Sequence, residues 1–105
     1  MLRPFSYMTK RFELDPRLKT IAEYYGFKAQ AEKAIEEMAE LIVEIKHDNQ
    51  YKMLIEELAD VKIMIDQLVY LRRRSKEGAE LFDTATEFKI ERQLKRIAAD
   101  EEDQA

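Results

Sequence analysis

The stretch AIEEMAELIVEIKHDNQYKMLIEELADVKIM (Ala34 to Met64) decides the fold of this chain. It contains two near copies of one pattern, EEMAEL (Glu36 to Leu41) and EELADV (Glu56 to Val61), twenty positions apart. Apolar residues at helical spacing surround each copy, and the turn-favouring residues HDNQ (His47 to Gln50) separate them. The stretch therefore predicts two amphipathic helices joined by a short loop, which makes them antiparallel neighbours.

The apolar positions predict one buried stripe on each central helix. The first helix is predicted from Phe27 to Lys46 and the second from Tyr51 to Leu71, each about 30 Å long. Met38 and Leu58 mark the centres of the two stripes. The predicted stripes are Phe27, Ala31, Ala34, Ile35, Met38, Leu41, Ile42 and Ile45 on the first helix, and Leu54, Leu58, Val61, Ile65, Leu68 and Leu71 on the second.

A short helix is predicted ahead of the central pair. Asp15 and Pro16 favour a helix start, because Asp caps the first turn and Pro suits the first helical position. Gly26 favours a stop, so this helix is predicted over residues 16–25. Residues 1–14 are predicted to be a poorly defined end.

A polar stretch and a last helix follow the central pair. The stretch from Arg72 to Gly78 predicts a linker, and Thr84 with Glu87 fits the capping box of a helix that begins near Thr84. This helix is predicted to fade into a poorly defined end over residues 99–105. The chain as a whole predicts an all-α helical bundle that forms one domain over residues 1–105. The last helix is predicted to bury Phe88, Ile90, Leu94 and Ile97.

Composition excludes several classes of protein. The 105 residues include 46% hydrophobic residues but only two Gly and two Pro, which argues against disorder and against a turn-rich β fold. The net charge of −4 disfavours a nucleic-acid binder, and the apolar runs are too short for a membrane span. The chain has no Cys and begins without the apolar segment of a signal peptide, so we expect a cytoplasmic protein.

Acidic residues flank both stripes in the same way. An α-helix turns about 100° per residue, so Glu37 and Glu40 lie about 100° and 160° to one side of the first stripe's centre. Glu57 and Asp60 lie at the same two angles from the centre of the second stripe. Each helix therefore presents an acidic edge on which residues three apart are neighbours.

The register of the hairpin brings these two edges to the same level. If the loop is symmetric about the Asp48–Asn49 bond, the numbers of facing residues sum to 97. This sum pairs Glu37 with Asp60 and Glu40 with Glu57. The four carboxylates are therefore predicted to meet.

Four carboxylates at one level would raise one another's pKa and oppose folding unless a cation neutralised them. Oxygen ligands favour Mg²⁺, Mn²⁺ or Ca²⁺ over zinc or copper, and Mg²⁺ is the prediction, with Mn²⁺ as a substitute. A di-iron bundle would need Glu-x-x-His on two helices, whereas the only histidine, His47, lies in the predicted loop. The alternative to a metal site is a solvent-exposed acidic face.

A basic edge is predicted on the last helix. With Ile90 as the centre of its stripe, Lys89, Arg92 and Arg96 lie on one flank. Three cations on one flank could bind phosphate oxygens that a metal ion leaves uncovered. The alternative is a solvated face or a set of ion pairs.

These residues resemble the MazG-like, all-α nucleoside triphosphate pyrophosphohydrolases. The signature of that family is E-E-x-x-E, a spacer and then E-x-x-D, followed in a later helix by a K-F-E-R-R segment. The resemblance covers roughly residues 20–97, although the chain lacks the tryptophan found in longer members. The matching residues are Glu36, Glu37 and Glu40, then Glu57 and Asp60, and later KIERQ (Lys89 to Gln93).

The resemblance implies a homodimer or homotetramer that hydrolyses a (d)NTP to the (d)NMP and pyrophosphate with Mg²⁺. Clearance of unwanted nucleotides is the implied role. Glu36 or Glu40 is the expected acceptor of a proton from the attacking water. Gln30 could contact the nucleotide, the alternative being a surface glutamine. The implied metal ligands are Glu37, Glu40, Glu57 and Asp60, and the expected phosphate contacts are Lys89, Arg92 and Arg96.

Two other functions fit the same residues. The first is a non-catalytic helical interaction module, and the second is a nucleotide or metal sensor that binds without hydrolysis. A homo-oligomer is expected on physical grounds as well, since two long helices in so small a chain expose more apolar surface than one short helix covers. The candidates for the subunit contact, each with the alternative of a core residue, are Tyr24, Tyr25, Met64, Tyr70 and Phe82.

Overall fold

The computed structural model describes residues 13–47 and 50–104. Within these ranges the chain forms three α-helices and no strand: α1 (Pro16–His47), α2 (Tyr51–Arg72) and α3 (Lys76–Gln104). The predicted all-α fold is confirmed. The chain divides after Arg72 into two compact units, the first containing α1 and α2 and the second containing α3. The single domain remains a prediction.

Helix α1 begins and breaks where the sequence predicts. The backbone N–H of Arg17 donates to Asp15 Oδ1 at 2.9 Å, which caps the first turn. Hydrogen bonds from the Arg17 side chain, and then from its backbone, lower the pKa of Asp15 to about 2. At Gly26 the backbone leaves the helical region with φ 85° and ψ 168°, a conformation that favours glycine. The predicted short helix is therefore the first segment of α1.

Helices α1 and α2 form an antiparallel hairpin. The hydroxyl of Tyr70 donates to Glu23 Oε2, and Gln30 Nε2 donates to Gln67 Oε1 at 2.8 Å. As residue numbers increase along α1, the numbers of the residues that they contact on α2 decrease, so the two helices are antiparallel. The numbers of Gln30 and Gln67 sum to 97, the value that the predicted register requires. The Asp48–Asn49 bond, on which that register was centred, lies outside the described residues.

The line of contact between α1 and α2, here called the seam, differs from the predicted stripes. Met38 and Leu58, the predicted stripe centres, are 37% and 44% exposed. Among the described residues of the first unit, each helix of the hairpin packs against one other helix, so only a narrow line of each is buried. The buried residues of the hairpin are Ala22, Gln30, Ala34 and Glu37 on α1 and Met64, Gln67 and Leu71 on α2.

Helix α3 begins earlier and ends later than the sequence predicts. The linker predicted over Arg72 to Gly78 is shorter in the structure, where residues 73–75 connect the helices, because Ser75 already caps α3. Its Oγ accepts a hydrogen bond from the backbone N–H of Gly78 at 2.9 Å, and its backbone oxygen accepts one from Ala79 at 3.0 Å. The predicted start near Thr84 is therefore wrong, and the helix continues through the acidic tail to Gln104.

The predicted burial of the α3 stripe is also wrong. None of the residues of α3, all of which the structure describes, is buried. The second unit contains one long helix, so it has no neighbouring helix of its own to cover the stripe. The four stripe residues are between 48% and 62% exposed: Phe88, Ile90, Leu94 and Ile97.

Candidate metal centre

Three carboxylates from the two helices of the hairpin meet at the seam. Glu37 and Glu40 lie one turn apart on α1, and Glu57 faces them from α2. One carboxylate oxygen of each lies within 4.8 Å of the other two. We call these three residues the carboxylate layer.

The carboxylate layer runs from the interior of the seam to its rim. Glu37 is only 9% exposed, Glu57 is half-buried and Glu40 is exposed. Oε1 of Glu37 and Oε1 of Glu57 are buried, and neither has a hydrogen-bond partner among the described residues. Such atoms lose their hydration without replacement, which opposes folding. The two atoms are therefore the least satisfied polar groups of the seam.

The electrostatics of Glu57 show that negative charge accumulates around its carboxyl group. Burial raises the pKa of the Glu57 carboxyl, and the charges of Glu40, Asp60 and Glu37 raise it further, in that order. A hydrogen bond with Glu40 acts in the same direction. A proton or a cation would relieve this repulsion.

The donor set fits a hard divalent ion. Such an ion binds oxygen ligands at about 2.0 to 2.6 Å, so two of its ligands lie up to about 5 Å apart. The separations within the carboxylate layer fall in that range. An ion held by the Oε1 atoms of Glu37 and Glu57 would give each of them the partner that it lacks among the described residues. The residues therefore fit Mg²⁺ or Mn²⁺, with Glu37 and Glu57 as inner ligands and Glu40 at the rim.

A second polar layer lies about two helical turns along the same seam. Gln30 and Gln67, here called the amide layer, are 7% and 2% exposed and share the hydrogen bond of 2.8 Å. Gln67 Nε2 also donates to the backbone oxygen of Ile63 at 3.1 Å. The alternative of Gln30 as a surface glutamine is therefore wrong. Its contact with a nucleotide remains a prediction.

Two other predicted acidic residues lie beside the carboxylate layer. Asp60 is half-buried, and although its charge acts on Glu57, the structure does not bring it into the group of three. Glu36 is exposed, with its Oε1 3.6 Å from Lys33 Nζ. Their roles as metal ligand and as proton acceptor remain predictions.

The predicted phosphate-binding residues belong to the second unit. Lys89, Arg92 and Arg96 are exposed on α3. The Arg92 guanidinium lies 5.6 Å from the centre of the Phe88 ring, and Arg96 Nη1 donates to Gln93 Oε1 at 2.9 Å. Contacts between these three side chains and phosphate remain predictions.

Sequence reasoning missed two residues of the seam. Lys33 lies four positions before Glu37, a spacing at which opposite charges pair on a helix, and its Nζ is 3.2 Å from Glu37 Oε2. Gln67 is the residue that the sum of 97 places opposite Gln30. Both signals were present in the sequence, but attention to acidic residues alone passed over them.

Comparisons with known proteins find no match among family models, curated proteins or solved structures. The resemblance to the MazG-like enzymes therefore depends on the residues quoted above. Among the residues that the structure describes, no helix contains an apolar stretch long enough to cross a membrane.

Proposed function

We propose that the protein is an Mg²⁺-dependent nucleotide pyrophosphohydrolase that converts a (d)NTP to the (d)NMP and pyrophosphate. The observation that supports the proposal is the pair of buried, unpartnered carboxylate oxygens on Glu37 and Glu57. A structural acidic patch would expose its oxygens to water instead. A cytoplasmic role in clearing unwanted nucleotides follows from this activity and from the resemblance.

The role proposed for each carboxylate depends on how deeply it is buried in the seam. Glu37 and Glu57, within the seam, would hold the ion, and Asp60 would support Glu57 from the same helix. When bound, the ion would neutralise the triphosphate and lower the pKa of a bound water. Glu40, exposed at the rim, is well placed to accept the proton of that water, with Glu36 as the alternative acceptor.

The same proposal includes a homo-oligomer, either a dimer or a tetramer. Exposed apolar side chains continue along α1 and α2 beside the seam, including Ile35, Ile42 and Ile45, which are 55% to 64% exposed. Patches of this kind mark protein interfaces on small domains. Of the five predicted subunit contacts, Met64 is excluded, because it is buried in the seam at 5% exposure. The molar mass in solution tests this part of the proposal.

A screen of (d)NTPs with Mg²⁺, read by pyrophosphate release, tests the activity. We expect turnover of at least one nucleotide, reduced about 100-fold or more in both Glu40→Gln and Asp60→Asn. The first variant loses the proposed proton acceptor, and the second loses the charge that supports Glu57 as a metal ligand. Both variants should keep the helical circular dichroism of the wild type. Glu32→Gln, an exposed carboxylate on the same helix as Glu40, should keep full activity.

The outcome of this screen separates the rival functions. Absence of turnover across the whole panel would contradict the enzyme. If the protein still bound a nucleotide in the presence of Mg²⁺, the sensor would be the better account of its function. If neither binding nor turnover occurred, the helical interaction module would be the better account.

A further inference from the structure

Lys33 places a cation of the protein itself against the carboxylate layer. It lies one helical turn before Glu37 on α1, and its Nζ is 3.2 Å from Glu37 Oε2 and 3.6 Å from Glu36 Oε1. Hydrogen bonding to Glu37, together with the charges of Glu37 and Glu36, raises the pKa of the Lys33 ammonium. Lys33 is therefore charged and directed toward the site.

The two oxygens of Glu37 have unequal surroundings. Oε2 has Lys33 as a partner, whereas Oε1 is buried without one among the described residues. The Glu37 side chain is 11% exposed and the Lys33 side chain 53% exposed. One member of the pair is therefore held inside the seam, and the other reaches it from solvent on a flexible stem.

We propose that Lys33 is a built-in counter-ion of the carboxylate layer, which holds Glu37 in the ion-free protein and gives way when a divalent ion binds. The inference rests on the proposed metal site. A divalent ion at Glu37 would repel an ammonium group only a few ångströms away. Since Lys33 is half exposed, its side chain can turn into solvent while Glu37 stays in place.

A counter-ion has effects of opposite sign in the two states of the site. Loss of its charge should destabilise the ion-free protein, where the carboxylates would repel one another unopposed. The same loss should strengthen binding of the divalent ion, because no cation then competes for Glu37. A lysine that only positioned Glu37 would instead weaken ion binding when removed, and a simple helix-surface pair would leave binding unchanged.

Lys33→Met tests the inference, because it removes the charge and keeps an apolar stem. Lys28→Met is the matched control, because Lys28 and Glu32 form an ion pair with the same i,i+4 spacing on an exposed face of the helix. The distance from Lys28 Nζ to Glu32 Oε2 is 3.6 Å. Binding of Mn²⁺ and of Mg²⁺ is measured by calorimetry, and the melting temperature is measured in EDTA. We expect Lys33→Met to bind Mn²⁺ about fivefold more tightly, because the ion no longer has to displace the Lys33–Glu37 attraction, which is worth about a factor of five for two unit charges about 4 Å apart in water. We also expect it to melt below the wild type in EDTA, whereas Lys28→Met should bind Mn²⁺ as the wild type does.

Each contrary result has one meaning. Unchanged or weaker Mn²⁺ binding in Lys33→Met, with normal binding by the wild type, would overturn the counter-ion and leave the metal site standing. A melting temperature in EDTA equal to or above that of the wild type would also overturn it. Absence of Mn²⁺ binding by the wild type would overturn the metal site and this inference together.

Discussion

The hairpin seam contains two polar layers, and they satisfy their polar atoms in different ways. In the amide layer, Gln30 and Gln67 bond to each other, and Gln67 also bonds to the backbone. In the carboxylate layer, Glu37 and Glu57 each keep a buried oxygen without a partner among the described residues. Both layers join the same two helices, so the difference arises from the side chains.

The chemistry of the two groups explains this difference. An amide has both donors and acceptors, so two facing glutamines can satisfy each other. Ionised carboxylates only accept, so two facing glutamates need a proton or a cation between them. The amide layer is therefore complete within the protein, whereas the carboxylate layer is complete only with a ligand. The predictions below test this contrast.

The largest effect is expected when the carboxylate layer is converted into a second amide layer. In the double variant Glu37→Gln with Glu57→Gln, we expect the affinity for Mn²⁺ to fall about 100-fold or more, because both inner ligands lose their charge. We expect its melting temperature in EDTA to rise above that of the wild type. Calorimetry and thermal melts measure the two quantities.

The control for this variant is Glu32→Gln with Glu56→Gln, which removes two exposed carboxylates from the same two helices. It should change neither Mn²⁺ affinity nor melting temperature by a comparable amount. Normal Mn²⁺ binding by the Glu37 and Glu57 double variant would remove the distinction between the two layers.

A smaller effect is expected when the amide layer is broken. Gln67→Leu leaves the buried amide of Gln30 without its acceptor, which should reduce the free energy of unfolding by about 1–3 kcal/mol. Gln30→Leu with Gln67→Leu removes both polar groups and should recover most of that loss. Urea denaturation in EDTA measures both variants. Equal stability of the single and double variants would show that leaving the Gln30 amide unpaired in the seam carries no penalty.

The smallest effect is expected on the pH dependence of the ion-free protein. The raised pKa of Glu57 means that the folded chain binds this proton more tightly than the unfolded chain does. Stability should therefore fall as the pH rises above the ordinary carboxyl pKa of 4.5 and through the folded pKa of Glu57. Asp15 acts in the opposite direction and only in stronger acid, since its contribution is complete above 3.8 and lost as the pH falls through about 2.

Thermal melts in EDTA between about pH 4 and pH 8 measure this dependence. We expect Glu57→Gln to flatten the fall, and saturating Mg²⁺ to reduce it in the wild type. The Glu56→Gln variant, which alters an exposed neighbour, should keep the slope. An unchanged slope in Glu57→Gln would show that Glu57 is not the group responsible.

The register of the hairpin, the start of α1 and its break at Gly26 were predictable from the sequence because they depend on local signals. Asp15 before Pro16, and Gly26 ten residues later, define the first segment of α1, since capping and positive φ involve only neighbouring residues. The sum of 97 predicted the meeting of Glu40 with Glu57. The contact of Gln30 with Gln67 obeys the same sum, although the sequence analysis did not predict it. The helical periodicity and one short loop are sufficient to predict the register of the hairpin.

The buried faces of the helices were harder to predict from the sequence, because burial depends on which other elements pack against each helix. The apolar stripes centred on Met38 and Leu58 resemble core residues in sequence, yet the seam follows Glu37, about 100° away on α1. The start of α3 was missed for a different reason. Gly78 suggested a linker, whereas the cap from Ser75 outweighs the modest cost of one glycine in the first turn.

Crystals grown with Mn²⁺ and a non-hydrolysable nucleotide provide the most direct measurement of the central claim. We predict one strong anomalous difference peak at the seam, about 2 Å from oxygens of both Glu37 and Glu57. A structure at saturating Mn²⁺ without that peak, or with the two carboxylates separated and facing solvent, would contradict the account.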